Sequence, residues 1–234
     1  MPKSYRRTLA LAAVLFLASA NAQEVDSRHL APGFQTRSPG SALLIVPADM
    51  ELFSISAGGV EEPKADWTEA AQQNFRAALA ARGRQLGSRV VELGQAQLDE
   101  FADIHALHRA VAEAVVMHHS RSGRKLPTKN DRLDWTLGEA VRPLQVGTGA
   151  DYALFTWIRD SYASGERKVA MFAMALLGAL SFGGSQVGYA SLVDLRTGRI
   201  VWFNDLDRMA GDLREPAGAQ ETIDTLLKGF PAVP

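Results

Sequence analysis

The chain contains no cysteine. Disulfides, thiolate metal sites and cysteine nucleophiles are therefore excluded. Lipoprotein acylation is excluded too, because the acylated residue of a bacterial lipoprotein is a cysteine at the new N-terminus. No Walker motif and no G-x-G-x-x-G occurs. Gly147-Thr148-Gly149 comes nearest, but this loop pair precedes a strand instead of opening a helix, the wrong side for phosphate. No G-x-S-x-G elbow is present either, since Gly183-Gly184-Ser185 only ends an apolar run. No internal repeat is visible. Charge of neither sign dominates, with 25 basic and 26 acidic residues, so no global field draws in nucleic acid. What remains is an ordinary globular composition, 47% apolar and 22% charged, which must hold itself together by a core.

The start of the chain is specific. Lys3, Arg6 and Arg7 give a positive beginning, Thr8 to Ala18 is apolar and uncharged, and Ala20-Asn21-Ala22 offers small residues at the positions a signal peptidase reads. This predicts a signal peptide over 1–22, removed to leave Gln23 at the start. The apolar run is far shorter than the ~20 residues of a membrane span. Export to the periplasm follows as the expectation, without a lipid anchor. Residues 23–40, with Pro32, Gly33, Pro39 and Gly40, read as a flexible linker. Residues 41–234 read as one domain.

Within that domain, Ala42 to Val46 is a short apolar run ending at Pro47, as in a strand buried on both faces. Leu52 to Ser56 alternates as a half-exposed strand. Asp66 with Glu69 suggests a capping box for a helix carrying Trp67, Ala71, Phe75, Ala78 and Leu79 on one side. Arg89 to Leu93 reads as a strand. Leu98 to His119 reads as a helix facing inward through Phe101, Ile104, Leu107, Val111 and Val115. A polar, basic connector from Ser120 to Arg132 follows, then a shorter helix over Leu133 to Leu144. Tyr152 to Ile158 is the best central strand. Val187 to Leu195 and Ile200 to Phe203 flank Arg196 to Arg199, where Gly198 supplies the positive φ of a tight turn. Pro216 opens a last helix with Ile223, Leu226 and Leu227 facing inward. The expected fold is a single α/β domain, a mixed sheet of about five strands packed with helices, ending in a β-hairpin and a C-terminal helix.

Three stretches carry a resemblance: Leu43 to Pro47, Gly149-Ala150-Asp151-Tyr152-Ala153-Leu154, and Val193-Asp194-Leu195-Arg196-Thr197-Gly198-Arg199-Ile200-Val201-Trp202. Together they resemble small envelope domains of Gram-negative bacteria. These are the N-terminal domain of the Tol-system propeller protein, the penicillin-binding-protein activator lipoproteins and the curli-secretion lipoprotein. The resemblance implies a non-catalytic binding or assembly module, with an envelope protein or a second copy as partner and no active-site residues to carry over. The run from Val169 to Phe182 is an insertion in that pattern.

Four features compete as functional sites. Arg159 and Asp160 close the central strand and, with Asp194, form a candidate polar cluster; a periplasmic hydrolase with a site at the strand ends is the alternative function. His105 and His108 stand at i, i+3 on one helix and could share a metal ion. The helical zinc pattern, His at i and i+4 with an acidic partner, is absent, so no metal and no cofactor is expected. The connector's Arg121, Arg124, Lys125, Lys129 and Arg132 read as a solvated loop. The run Val169 to Phe182 has no polar face and, as a helix, would be ~21 Å long, too short to cross a bilayer. It reads first as a core helix between the sheet and the last helix. Its other reading is an exposed surface for self-association or peripheral membrane contact, through Met171, Phe172, Met174, Leu176, Leu177, Leu180 and Phe182.

Overall fold

The computed structural model describes residues 28–120, 124–176, 184–209 and 211–234. The signal peptide, the first part of the linker, Arg121, and Leu177, Leu180 and Phe182 of the insertion lie outside these described residues. In chain order the elements are β1 (Leu43–Ile45), β2 (Asp49–Ile55), β3 (Glu61–Pro63), α1 (Ala65–Ala80), α2 (Gly83–Leu86), β4 (Val90–Glu92) and α3 (Gln95–Leu98). They continue with α4 (Ala102–Val115), α5 (Arg142–Thr148), β5 (Tyr152–Ala163), α6 (Gly165–Leu176), β6 (Gly184–Asp194), β7 (Ile200–Arg208) and α7 (Pro216–Leu226).

The strand β5 organises the sheet. Its first half pairs in parallel with β1, Leu43 opposite Tyr152 and Ile45 opposite Leu154. Its second half pairs in parallel with β2, Asp49 opposite Trp157 and Ile55 opposite Ala163. Pro47 stands between β1 and β2; it has no N–H to donate and breaks one rank into two strands. Outside that broken rank, β4 pairs with β1 and β3 with β2. On its other side β5 takes β6, and β6 takes β7, both antiparallel. The seven strands thus occupy five ranks.

Alternation along β5 divides the core. Tyr152, Leu154 and Ile158 face α1 and α7, packing with Phe75, Leu79, Ile223 and Leu226. Ala153 and Phe155 face α4 and the 133–144 segment, packing with Ile104, Val115, Leu137 and Leu144. The hairpin forms as expected: Gly198 has φ +69° and donates its N–H to the Asp194 carbonyl at 2.8 Å. The motif Gly149-Ala150-Asp151 also acquires a physical meaning. Gly149 ends α5 in the left-handed conformation, and the Asp151 carboxylate accepts the Ala42 N–H at 2.8 Å, fixing the entry to β1.

Several expectations are corrected. The first helix starts at Ala65 with Lys64 as N-cap and no side-chain cap, so Asp66 and Glu69 form no capping box. Thr68 takes over the local bonding, its hydroxyl bridging the Leu52 N–H and the Lys64 carbonyl. The helix from Leu98 breaks into α3 and α4 and ends in a π turn over Val116–Ser120. Residues 133–137 are not helical, because Leu137 N–H and the Trp135 carbonyl bond to the hairpin at Gly198 and Ile200. Gly147 lies inside α5, not in a loop.

The described part of the linker, 28–40, is laid on the domain. Leu30 bridges Trp202 of β7. Arg37 is only 1% exposed. Its guanidinium donates to the carbonyls of Pro231 (3.0 Å), Leu86 (2.7 Å) and Gln85 (2.9 Å) and stacks on Phe230.

The largest correction concerns the insertion. Its described part, 169–176, is not a core helix: α6 contributes no buried residue at all. The face between the sheet and the last helix is already filled by α1 packed against α7.

Candidate interaction surface

The polar cluster read at the end of the central strand does not assemble. Arg159 and Asp160 are successive residues of an extended strand and point to opposite faces. Asp194 sits opposite Tyr152, whereas Arg159 sits opposite Val187, a separation of roughly 23 Å along the sheet at ~3.3 Å per residue. Each of the three has its own local task. Arg159 pairs with Asp49 at 2.8 Å and Glu51 at 3.6 Å and stacks on Trp157. Asp194 accepts the Arg196 N–H at 2.9 Å and so shapes the hairpin turn.

Asp160 is buried at the base of α7. Its carboxylate accepts hydrogen bonds from the Tyr162 hydroxyl and, at 2.6 Å, from Gln186 Nε2. Gln186 in turn accepts from Arg208 Nε at 2.9 Å. The Tyr162 oxygen accepts the Leu213 N–H at 2.7 Å, and Arg214 lies over the Tyr162 ring. Burial pushes the Asp160 carboxyl up to about 6, partly offset by the Tyr162 and Gln186 hydrogen bonds. A poised acid of this kind suits proton transfer, but Asp160 is only 1% exposed. It lines neither of two surface crevices. One, of about 570 Å³, runs along Pro47, Phe75, Leu79 and Leu93. The other, of about 520 Å³, runs along Met117, Trp157, Tyr189 and Leu206. The Asp160 network is an internal brace between β5, β6, β7 and the loop before α7.

The histidines are also absorbed locally. His108 stacks on Phe155 at 4.0 Å and lies 2.6 Å from the Ser191 hydroxyl. Both residues are buried, and burial lowers the His108 imidazole to about 3. This Ser–His contact is sealed in the core, out of reach of a substrate. His105 is half-buried beside the same ring. His118 donates to the Arg124 carbonyl and His119 to the Arg28 carbonyl. Among the described residues, no group of three or more metal-ligating side chains converges.

What stands out instead is α6. Val169, Phe172, Met174 and Leu176 are 70%, 69%, 50% and 74% exposed, and Met171 is partly exposed. Burying each such side chain would contribute ~1.5–3 kcal/mol, so this is a costly surface to leave wet. The root of the helix is fixed. Ser164 donates its N–H to the Ile55 carbonyl at 2.9 Å, and its hydroxyl accepts the Arg167 N–H at 3.1 Å, an N-cap bond. Arg167 Nη1 donates to the Ser56 carbonyl at 3.2 Å. The register puts the exposed Val60 and Met209 at this same end of the sheet, past the ends of β2 and β7. Among the described residues, no helix is long and apolar enough to cross a membrane.

No family model matches the chain, and no curated protein matches it. Solved structures do. The PelC dodecamer from Paraburkholderia phytofirmans is similar at 13% identity and a TM-score of 0.40, covering 87% of this chain and 94% of that one. Lipoprotein GNA1162 from Neisseria meningitidis is similar at 14% identity and 0.32, covering 78% and 90%. The C-terminal domain of LpoB from Salmonella enterica is similar at 15% identity and 0.30, covering 76% and 87%. The chain bears a weak structural resemblance to Gram-negative envelope lipoprotein domains.

Of the residues singled out in the sequence, Met171, Phe172, Met174 and Leu176 share one helix. Arg159, Asp160 and Asp194 share no site. Sequence reasoning missed the braces around Arg37 and Asp160. The first left no pattern, because one arginine capping three carbonyls has no periodicity. The second left a usable one, since adjacent strand residues cannot face the same cleft.

Proposed function

We propose that this chain is an exported envelope protein, cleaved after Ala22, that works in the periplasm by binding and engages its target through the apolar tip carried by α6. The observation that supports this is the exposure of Val169, Phe172, Met174 and Leu176 on a helix that adds nothing to the core. β5 and β6 are adjacent and antiparallel, with Tyr162 opposite Gly184. Two residues would suffice to join them. The chain instead spends residues 164–183 on the connection. The hydrolase alternative gains no support from the geometry, because its three residues point to different places.

Excising the insertion is the test. Residues 163–183 would be replaced by Asn-Gly, joining Tyr162 to Gly184 through a two-residue turn. The expected outcome is a cooperatively folded chain, its thermal midpoint lowered only by loss of the Ala163 and Ser164 pairing with Ile55, and loss of the protein from the envelope-bound fraction, with recovery in the soluble periplasmic extract. If the excised and complete chains distribute alike between the two fractions, the reading is wrong. Mass measurement of the recovered protein should also find Gln23 at its start.

A further inference from the structure

Resting on that reading, we infer that what covers the α6 tip is the hydrocarbon of a single lipid leaflet, into which α6 inserts. The first reason is the shape of the apolar surface. An interfacial helix that lies flat keeps a polar face toward water. From Val169 to Leu176, α6 has no polar side chain. At 100° per residue, the exposed positions 169, 172, 173, 174, 175 and 176 are spread around the whole circumference. A second copy packing on such a helix would cover one side and leave the others wet. Only a surrounding apolar phase covers all of them.

The second reason is length. Beyond the charged root of the helix, the eight apolar residues 169–176 span ~12 Å at ~1.5 Å per residue. One leaflet is about half of a ~30 Å hydrocarbon layer. The apolar stretch therefore fits within one leaflet and does not reach across two. In sequence, residues 177–183 carry no charged side chain.

The third reason concerns headgroups. Around the root of the helix, Glu61, Glu62 and Glu166 offset Lys64, Arg167 and Lys168. Lys64 pairs with Glu62 at 3.3 Å, and Arg167 is tied to the Ser56 carbonyl. This collar carries no excess of either sign. It suits a zwitterionic surface, and attraction to anionic lipid is not what holds the helix. Binding is therefore expected to resist salt, unlike that of a polybasic segment.

The purified exported chain should float with pure phosphatidylcholine vesicles, to the same extent at low and high salt, and added phosphatidylglycerol should change little. Phe172→Asp and Leu176→Asp should each lower the vesicle-bound fraction about tenfold or more. Val146→Asp, at an exposed apolar position on α5, should leave it unchanged. The aspartate variants should keep the circular dichroism and thermal midpoint of the parent, since α6 is outside the core. Three results would overturn the inference. One is a folded chain that does not float. Another is flotation that Phe172→Asp leaves intact, or that needs anionic lipid and is abolished by salt. The last is a concentration-dependent oligomer, without vesicle binding, that Phe172→Asp dissociates; this would assign the tip to a second copy. If flotation fails while excision of 163–183 still frees the protein from the envelope, the lipid inference falls and the binding reading stands.

Discussion

At one end of the β6–β7 pair, the turn from Asp194 to Arg199 is bolted on every side. Gly198 abuts the backbone of Gly138, the Leu137 N–H donates to the Gly198 carbonyl, and Thr136 bridges Arg199. Residues 29–31 pair along β7 just beyond, through Ala31 N–H to Val201 and Phe203 N–H to His29. At the other end, β5 leaves the sheet into α6, held at its root by Ser164 and Arg167 and wet along its apolar body. What differs is whether backbone polar groups from other segments reach them. The first end is closed by hydrogen bonds that leave no room for change. The second is open, since the described part of α6 buries no side chain.

The comparison is broken most severely at Gly198. A Cβ there would stand 2.1 Å from the Gly138 carbonyl oxygen. The positive φ alone costs a β-branched residue ~1–2 kcal/mol, and the contact adds to it. Gly198→Val should destabilise by about 4 kcal/mol or more. Chemical denaturation should find the midpoint sharply lowered. A midpoint within experimental error of the parent would mean that 136–138 does not clamp the turn.

Arg37 extends the closed side to the chain termini. Arg37→Met keeps the apolar stem and removes all five donors. The carbonyls of Pro231, Leu86 and Gln85 then lose their partner in a buried place, a cost of about 2–4 kcal/mol. Hydrogen exchange should show α2 and the C-terminal segment opening together. Unchanged protection at both would separate Arg37 from the brace assigned to it.

These two positions show how much of the molecule was legible. The strand from Tyr152 announced itself, because bulky residues on both alternating faces fit only a central strand, and β5 takes neighbours on both sides. The Asp-x-x-Thr-Gly hairpin announced its turn through Gly198. Arg37 did not, because a buried arginine reads in sequence as a surface one. His108 did not, because its acceptance into the core depends on Ser191 and Phe155 from distant strands. The 169–176 run could be read as core or as surface, since composition records that side chains are apolar and not whether anything covers them. The decision came from α1 and α7 already filling the face that the run was expected to occupy.

A milder test lies at Asp160, where the sheet is braced near the open end. Its folded carboxyl, raised to about 6, binds a proton more tightly than the unfolded chain does. Stability from this group is therefore greatest below about pH 4 and declines as pH rises toward and through 6. Above that, the buried charge costs about 2–3 kcal/mol relative to a neutral group. Asp160→Asn retains an oxygen to accept from Tyr162 and Gln186 and removes the charge. It should raise the denaturation midpoint at pH 7–8 and flatten the pH dependence between 4 and 6. A loss of stability at pH 8 would show that the carboxylate's hydrogen bonds outweigh its burial.

The smallest effect on stability is expected where the effect on function is greatest. Phe172→Ser removes a large aromatic side chain, a change that in a core costs several kcal/mol through lost burial and a cavity. On α6 neither loss arises, because the ring is 69% exposed and no neighbour closes over it. Loss of intrinsic helix propensity is a few tenths of a kcal/mol. The denaturation midpoint should therefore move by no more than about 0.5 kcal/mol in free energy. Phe203→Ser supplies the contrast. That ring is 2% exposed and stacks on Tyr189 at 5.6 Å, so the same chemical change should cost about 3–5 kcal/mol. A Phe172→Ser chain as unstable as Phe203→Ser would mean that α6 is covered within the monomer, and the open end of the sheet would then be as closed as the other.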